Sequence, residues 1–283
     1  MILFKEAAKL SAYLKKAQNK GIAIGFVPTM GALHQGHLTL ISFSKKNSGL
    51  TVCSIFVNPT QFNDPADFKK YPITIEKDLK MLFEAGADVV FLPDVEEIYP
   101  AGLNIVRTYA LGQLETVLEG KYRPGHFQGV CQVVHRLLEI VAPDKLFMGQ
   151  KDYQQCMVVH ELINSYKIPT QLVTCNTVRE VSGLAMSSRN MRLSETDRVK
   201  AAEIYKTLQF LEQQVKPGSL KSTLEEGIKK LLNFGFKVDY LEICNAHDLS
   251  IIEIWDGKSP IVALVAAYLG DVRLIDNLIL KTA

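Results

Sequence analysis

The sequence predicts an α/β protein: a Rossmann-like, doubly wound parallel sheet followed by a smaller α+β domain. Three observations predict it. Short apolar runs alternate with helix-period segments up to residue 175. Near residue 177 the order changes to two helical stretches followed by three strand-like runs. Apolar residues fill 47% of the 283 positions, enough for a substantial core and far from the composition of a disordered chain.

Strands are expected at 22–27, 51–57, 88–92, 145–148 and 171–175, and helices at 36–47, 75–85, 127–141 and 153–165. In the third helix Val130, Val133, Val134, Leu137, Leu138 and Val141 recur at helical spacing. Buried strands separated by helices point to a parallel sheet covered on both faces, with ligands beyond the carboxyl ends of its strands. A polar loop at 179–190 leads into the second part. Helices follow at 195–213 and 219–234, separated by Pro217-Gly218, with Ser219 as the expected N-cap of the second. Strands are expected at 238–244, 261–269 and 273–277. The predicted domains are residues 1–177 and 178–283. No internal repeat or low-complexity segment interrupts them.

Composition narrows the functional classes. Lysine and arginine number 32 against 30 acidic residues, a net charge of +2, and no long basic tract appears. Such a balance predicts no general affinity for nucleic acid or an anionic membrane. The cysteines, Cys53, Cys131, Cys156, Cys175 and Cys244, form no C-x-x-C pair and read as reduced core thiols. The N-terminus lacks a signal-peptide pattern, and no apolar run reaches spanning length. A cytoplasmic protein is the expectation.

The segment with the most chemical content is PTMGALHQGH at 28–37, where the first strand feeds a helix. Gly31 and Gly36 let a ligand approach the backbone. N–H groups opening the helix are expected to be free donors, reinforced by the helix dipole. His34 and His37 add donors for phosphate oxygens. Together these features favour a nucleotide site over a capped helix with two surface histidines. Four further segments carry polar groups. VNPTQF at 57–62 supplies Asn58 and Gln61, neutral amides that read hydroxyls and a carboxylate together. GQKDYQQ at 149–155 follows another strand and offers Lys151 for phosphate and Asp152 for a helix cap, nucleotide or metal. MSSRN at 186–190 combines small hydroxyls with arginine, suited to a phosphate clamp. RPGHF at 123–127 reads as turn chemistry by itself. No Walker A or G-x-G-x-x-G sequence, zinc-type spacing or nucleophile elbow is present.

PTMGALHQGH, VNPTQF, RPGHFQGV, GQKDYQQ and MSSRN occur in the order, and with the spacing, of the pantothenate synthetase (pantoate–β-alanine ligase) family, which the chain resembles. That family belongs to the nucleotidyltransferase superfamily, which shares the H-x-G-H signature with the class I aminoacyl-tRNA synthetases. MSSRN resembles the counterpart of their KMSKS loop. The resemblance implies two steps: pantoate attacks the α-phosphorus of ATP to give pantoyl adenylate and pyrophosphate, then β-alanine displaces AMP. It implies Mg2+ accompanying ATP, a homodimer, and a C-terminal domain acting as a lid. It also implies site residues. The catalytic set would be His34, His37 and Lys151, with His37 as acid and transition-state stabiliser. ATP would meet Met30, Gly31, Ala32, Leu33, His34, Gln35, Gly36, His37, Gly149, Gln150, Lys151, Asp152, Val178, Met186, Ser187, Ser188 and Arg189. Pantoate would be held by Gln61 and Gln155, with Asn58 and His126 as weaker assignments; no metal ligand is assigned. Gln150 departs from the glutamate frequent in the family, which removes an acidic contact there.

Chemistry is consistent with these groups. An arginine would bind the pantoate carboxylate tightly and stabilise the ground state, whereas glutamines orient it and leave it nucleophilic. The first step needs no general base. The second needs the β-alanine amine unprotonated, and the sequence names no clear base beyond His37 or solvent. Two alternatives are adenylyl transfer to a phosphate acceptor, which calls for more lysine or arginine in the acceptor pocket, and a nucleotide-binding module without turnover.

Overall fold

In the computed structural model, residues 1–63, 65–103 and 107–280 are described. They divide into two compact units, Met1–Gln150 with Gln154–Asn176, and Lys151–Tyr153 with Thr177–Ala283.

The first unit is built on six strands: β1 (Ile2–Phe4), β2 (Ile24–Thr29), β3 (Leu50–Ile55), β4 (Val89–Phe91), β5 (Lys145–Gly149) and β6 (Gln171–Cys175). They lie in the order β1-β4-β3-β2-β5-β6, and every pairing is parallel. Its helices are α1 (Ala7–Gln18), α2 (Gln35–Asn47), α4 (Ile75–Glu84), α7 (His126–Val141) and α8 (Tyr153–Ser165), with short turns α3 (Pro65–Lys69), α5 (Val95–Ile98) and α6 (Leu118–Tyr122). Side chains of successive strand residues point to opposite faces, and the core divides accordingly. Phe26, Val52, Val89, Phe91, Leu146 and Met148 join the cluster lined by α1, α7 and α8. Val27, Cys53, Val90 and Phe147 join a second cluster under α2 and α4. Both faces are therefore covered, as the apolar strand runs require.

β2 has β3 on one side and β5 on the other, so the chain reverses its direction of winding between β2 and β5. Ligands in open α/β sheets bind at the carboxyl ends flanking such a switch point. β2 ends at Thr29 and β5 at Gly149, so the loops carrying PTMGALHQGH and GQKDYQQ leave the sheet there.

The expected strands and helices of this unit match to within two residues at nearly every end. β1 and α1 are absent from the sequence expectation. β1 has three residues, and α1 interleaves its buried Leu10 and Leu14 with lysines and small residues, which weakens the apolar signal.

The second unit has a three-stranded antiparallel sheet ordered β11-β10-β8, formed by β8 (Lys237–Asn245), β10 (Ile261–Leu269) and β11 (Val272–Leu280). A small ladder pairs β7 (Gly218–Ser219) with β9 (Ile254–Trp255). α9 (Glu195–Ala201), α10 (Glu203–Gln214) and α11 (Lys221–Asn233) complete it. Its core packs Ile204, Leu208 and Leu211 of α10 and Leu231 of α11 against Ile243, Ala263, Val265 and Leu274 of the sheet. Two expectations are corrected. The helix at 195–213 is two helices meeting at Ala202. Ser219 is not the N-cap of α11: it pairs with Ile254 in β7, and Leu220 takes the cap position without a side-chain bond. β11 also runs past the expected end at 277, because Leu278, Ile279 and Leu280 pair with Ala263, Val262 and Ile261.

All five cysteines are buried thiols outside any disulfide. Burial pushes the Cys53, Cys131 and Cys244 thiols up to about 12, so they are packing groups rather than nucleophiles. Among the described residues, no helix is long and apolar enough to cross a membrane.

Candidate active site

The histidine pair forms an unusual cap on α2. His34 is the N-cap, extended at φ −141° and ψ 174°, and its Nδ1 accepts from the Gly36 N–H at 3.2 Å. The His34 N–H in turn donates to His37 Nδ1 at 3.3 Å. This is the reciprocal arrangement of a capping box, with imidazoles in place of the usual serine and glutamate. The rings lie 4.0 Å apart, tilted by 33°. A ring nitrogen that accepts from a backbone N–H carries no proton, so each neutral imidazole holds its proton on Nε2. The expectation of free backbone donors at this helix start is corrected for two of them. The N–H groups of His34 and Gly36 are taken by the rings, and the donor character passes to the imidazole Nε2 atoms.

The loop before the cap is held from below. Gly31 is left-handed at φ +80°, and Ala32 also has positive φ, at 48°. Asp78 of α4, fully buried, accepts from the Ala32 N–H at 2.9 Å and the Leu33 N–H at 2.8 Å; the Thr74 hydroxyl donates to it at 3.1 Å. A Cβ at Gly31 would press within 3.1 Å of both Asp78 Oδ2 and Ile55 Cγ2. Sequence reasoning missed Asp78. Its sign is a carboxylate on the apolar stripe of α4, among Ile75, Leu79 and Leu82.

The VNPTQF segment forms a 3-10 turn, Pro59–Gln61, whose N-cap is Asn58. Asn58 is buried and its amide is used within the protein. Oδ1 accepts from the Tyr99 hydroxyl at 2.7 Å and from Thr60, while Nδ2 donates to the Gly129 carbonyl at 3.1 Å and to Gln61 Oε1 at 3.2 Å. Burial pushes the Tyr99 phenol up to about 12, which keeps it protonated as the donor. Gln61 is half-buried, and its Nε2 lies 3.0 Å from Met30 Sδ, so this turn touches the loop before the histidines. His126 is buried behind the turn, with Nδ1 2.8 Å from the Gln61 carbonyl and Nε2 3.1 Å from Arg123 Nη1. A carbonyl only accepts and a guanidinium only donates, which assigns the proton to Nδ1. Asn58 and His126 thus brace Gln61. Gln155, on α8, is half-buried. Its neighbour Gln154 is buried, with its amide bonded to the backbone of Leu114, Val117 and Glu119.

In the second unit, Lys151 pairs with Asp152 at 3.7 Å, and its carbonyl accepts from Asn277 Nδ2 at 2.9 Å. The 179–190 loop is closely bonded. Arg179 makes two contacts to the buried Asp276, at 2.6 and 3.1 Å, and lies 3.7 Å from the Tyr205 ring centroid. Burial raises the Asp276 pKa, while the guanidinium opposes that rise. The Val178 carbonyl accepts from the Met186 N–H at 3.0 Å, and Asn190 Nδ2 bonds Glu180 and the Ala185 carbonyl. The Ser187 hydroxyl accepts from the Arg189 N–H at 3.3 Å and caps the turn Ser188–Arg192. The polar composition of this segment therefore serves its own folding as well as any ligand. Among the described residues, no group of three or more His, Cys, Asp or Glu side chains is placed to hold a metal.

The chain brings together, in its first unit, His34, His37, Met30 to Leu33 and Gln61, with Asn58 behind them. Lys151, Asp152, Val178 and Met186 to Arg189 fall in the second unit.

Comparison with known proteins is consistent over the whole length. The family model described as Pantoate-beta-alanine ligase matches residues 2–279. The pantothenate synthetase of Cytophaga hutchinsonii is 45% identical over 284 residues, covering 99% of each chain. A crystal structure of pantothenate synthetase from Thermus thermophilus is similar, with a TM-score of 0.90 at 39% identity, over 99% of this chain and 100% of that one. The pantoate-beta-alanine ligase of Francisella tularensis, complexed with beta-gamma ATP and beta-alanine, is similar with a TM-score of 0.85 at 37% identity, over 100% and 99% of the chains. The chain belongs to the pantoate–β-alanine ligase, or pantothenate synthetase, family.

Proposed function

We propose that this chain condenses pantoate with β-alanine to give pantothenate, through a pantoyl-adenylate intermediate, with ATP cleaved to AMP and pyrophosphate. The observation that carries this reading is the contact of Gln61 with Met30. It sets a neutral amide for an acid beside a loop whose two imidazoles present N–H donors.

In the first step a pantoate carboxylate oxygen attacks the α-phosphorus, and the bond to the bridging oxygen breaks with its electron pair leaving on pyrophosphate. Gln61, with Gln155, orients the carboxylate through neutral hydrogen bonds and does not quench it. Charge grows on the equatorial oxygens of the α-phosphorus. The Nε2–H groups of His34 and His37 meet that charge, and one such preorganised donor is worth roughly 10²–10³ in rate. Lys151 and Arg189 supply positive charge to the departing pyrophosphate. Met30 to His37, Gly149 to Asp152, the Val178 backbone and Met186 to Arg189 form the nucleotide-binding set. Mg2+ enters with ATP as part of the substrate. Such an ion keeps several waters and needs only one or two carboxylates besides the phosphates, a role open to the half-exposed Asp152.

In the second step the amine nitrogen of β-alanine attacks the acyl carbon, the carbon–oxygen bond to the phosphate breaks, and AMP leaves. The amine must first lose a proton. The capping arrangement argues against His37 as acceptor: its Nδ1 receives the His34 N–H, and its Nε2 already carries a proton. Solvent is the better acceptor.

Residues 1–177 act as the ATP- and pantoate-binding catalytic domain, and residues 178–283 as the lid. Buried cysteines outside any disulfide support a reducing cytoplasm, and the balanced charge supports small-molecule partners rather than nucleic acid. A homodimer rests on the family resemblance.

The test is pyrophosphate exchange. With pantoate and Mg–ATP alone, labelled pyrophosphate should enter ATP, and AMP should appear only when β-alanine is added. Exchange that requires a phosphorylated acceptor instead of pantoate would point to a different adenylyl transfer.

A further inference from the structure

β11 breaks its own pattern at two adjacent residues. Val272, Leu274 and Leu280 face the core of the second unit, and Asp276 shares their face by the two-residue period of a strand. Arg273, Ile275 and Ile279 lie on the other face and are half-buried or exposed, yet Asn277 in the same row is only 2% exposed. Its amide is bonded to the Lys151–Tyr153 segment. The Asn277 amide donates to the Lys151 carbonyl at 2.9 Å, and the Tyr153 hydroxyl donates to the Ala246 carbonyl at 2.7 Å.

Asp276 makes a second attachment one residue away. Its carboxylate takes both terminal nitrogens of Arg179, whose Nη1 also donates to the Gly183 carbonyl at 3.2 Å and whose Nη2 donates to the Asn277 carbonyl at 3.3 Å. Arg179 bridges to Ala185 across the base of the loop that continues to Met186-Ser187-Ser188-Arg189. The Asn277 N–H donates to Asp276 Oδ1 at 2.8 Å, which joins the two attachments. One short stretch of strand thus holds the backbone of Lys151 on one face and the root of the serine–arginine loop on the other.

We infer that Asn277 and Asp276 are positioning residues for the first half-reaction, fixing the Lys151 turn and the 179–190 loop to a single strand. Neither touches substrate. This rests on the proposal that Lys151 and Arg189 serve the phosphates. A side chain as long as lysine reaches a leaving group reproducibly only when its backbone is held, and small misplacements of such groups cost large factors in rate. An amide suits the task at Asn277, since it satisfies a backbone carbonyl without placing a charge beside the lysine.

The test separates the half-reactions in the full-length enzyme. Asn277→Ala should lower pantoate-dependent pyrophosphate exchange about 10- to 100-fold. Reaction of preformed pantoyl adenylate with β-alanine should change less than about threefold, and so should KM for pantoate. In the Lys151→Ala background, Asn277→Ala should add little, because the two substitutions act on one group. If the alanine chain fails to fold, Asn277→Asp keeps the shape, loses the donor and carries the same expectation. Equal losses in both half-reactions, additive losses with Lys151→Ala, or full exchange in a folded variant would each overturn the inference. Loss of exchange in Lys151→Ala but not in the Asn277 variants would leave the phosphate role standing and remove only the positioning role. Full exchange in Lys151→Ala would remove the phosphate role itself.

Discussion

His37 has a capping role toward the backbone, and the proposed mechanism gives it a separable second one toward the nucleotide. As the N3 residue of α2 it accepts the His34 N–H, a role that glutamine fills in ordinary capping boxes. As an imidazole it also presents a rigid ring Nε2–H; a glutamine whose Oε1 takes the cap offers only a flexible amide N–H at a different position. His37→Gln should therefore keep its thermal midpoint within a few degrees while losing roughly 10²–10³ in pyrophosphate exchange. His37→Ala should lose the same activity and also about 1 kcal/mol of stability with the cap. Exchange within a few-fold of the parent in His37→Gln would mean that the ring is only a cap. At this scale the sequence is informative where partners are close in the chain. His34 and His37 announce each other. Asp78 holds the same loop from a separate helix, and only its misplaced charge on an apolar stripe marks it beforehand.

At the scale of elements, the Asn58–Gln61 turn depends on what α7 leaves out. A Cβ on Gly129 would collide with the Thr60 carbonyl and reach within 2.8 Å of Gln61 Cα. Glycine inside a helix ordinarily costs about 1 kcal/mol against alanine, so alanine here would stabilise the protein if nothing lay against it. The packing predicts the opposite sign. Gly129→Ala should lower the thermal midpoint and raise KM for pantoate about 10-fold or more, with KM for ATP changed far less. A stabilised variant with an unchanged pantoate KM would show that the turn does not rely on this approach. The RPGHF segment reads as turn chemistry in sequence because its contacts are tertiary: His126, and Gly129 one turn further on, meet the Gln61 turn only when α7 crosses it. Helix caps are hard to read for a related reason. Ser219 has the right side chain for a cap, but its backbone is taken by pairing with Ile254.

For the whole molecule, the parallel sheet is readable from its apolar runs because its inner strands β2, β3, β4 and β5 are buried on both faces. The strand order is not, since it depends on which crossovers go which way. Once β2 is seen between β3 and β5, the position of the histidine loop at the switch point follows. Lys151 is contiguous in sequence with β5, yet its turn is held by β11, more than a hundred residues later in the chain. That long separation explains why the motif is visible in the sequence and its support is not. In the proposed first step a pantoate carboxylate oxygen becomes bonded to the α-phosphorus of ATP. Pantoate labelled with 18O in both carboxylate oxygens tests it most directly, with mass analysis of the products after β-alanine and ATP are added. One labelled oxygen should appear in AMP and one should remain in the amide of pantothenate. Label in inorganic phosphate or pyrophosphate, with none in AMP, would contradict it.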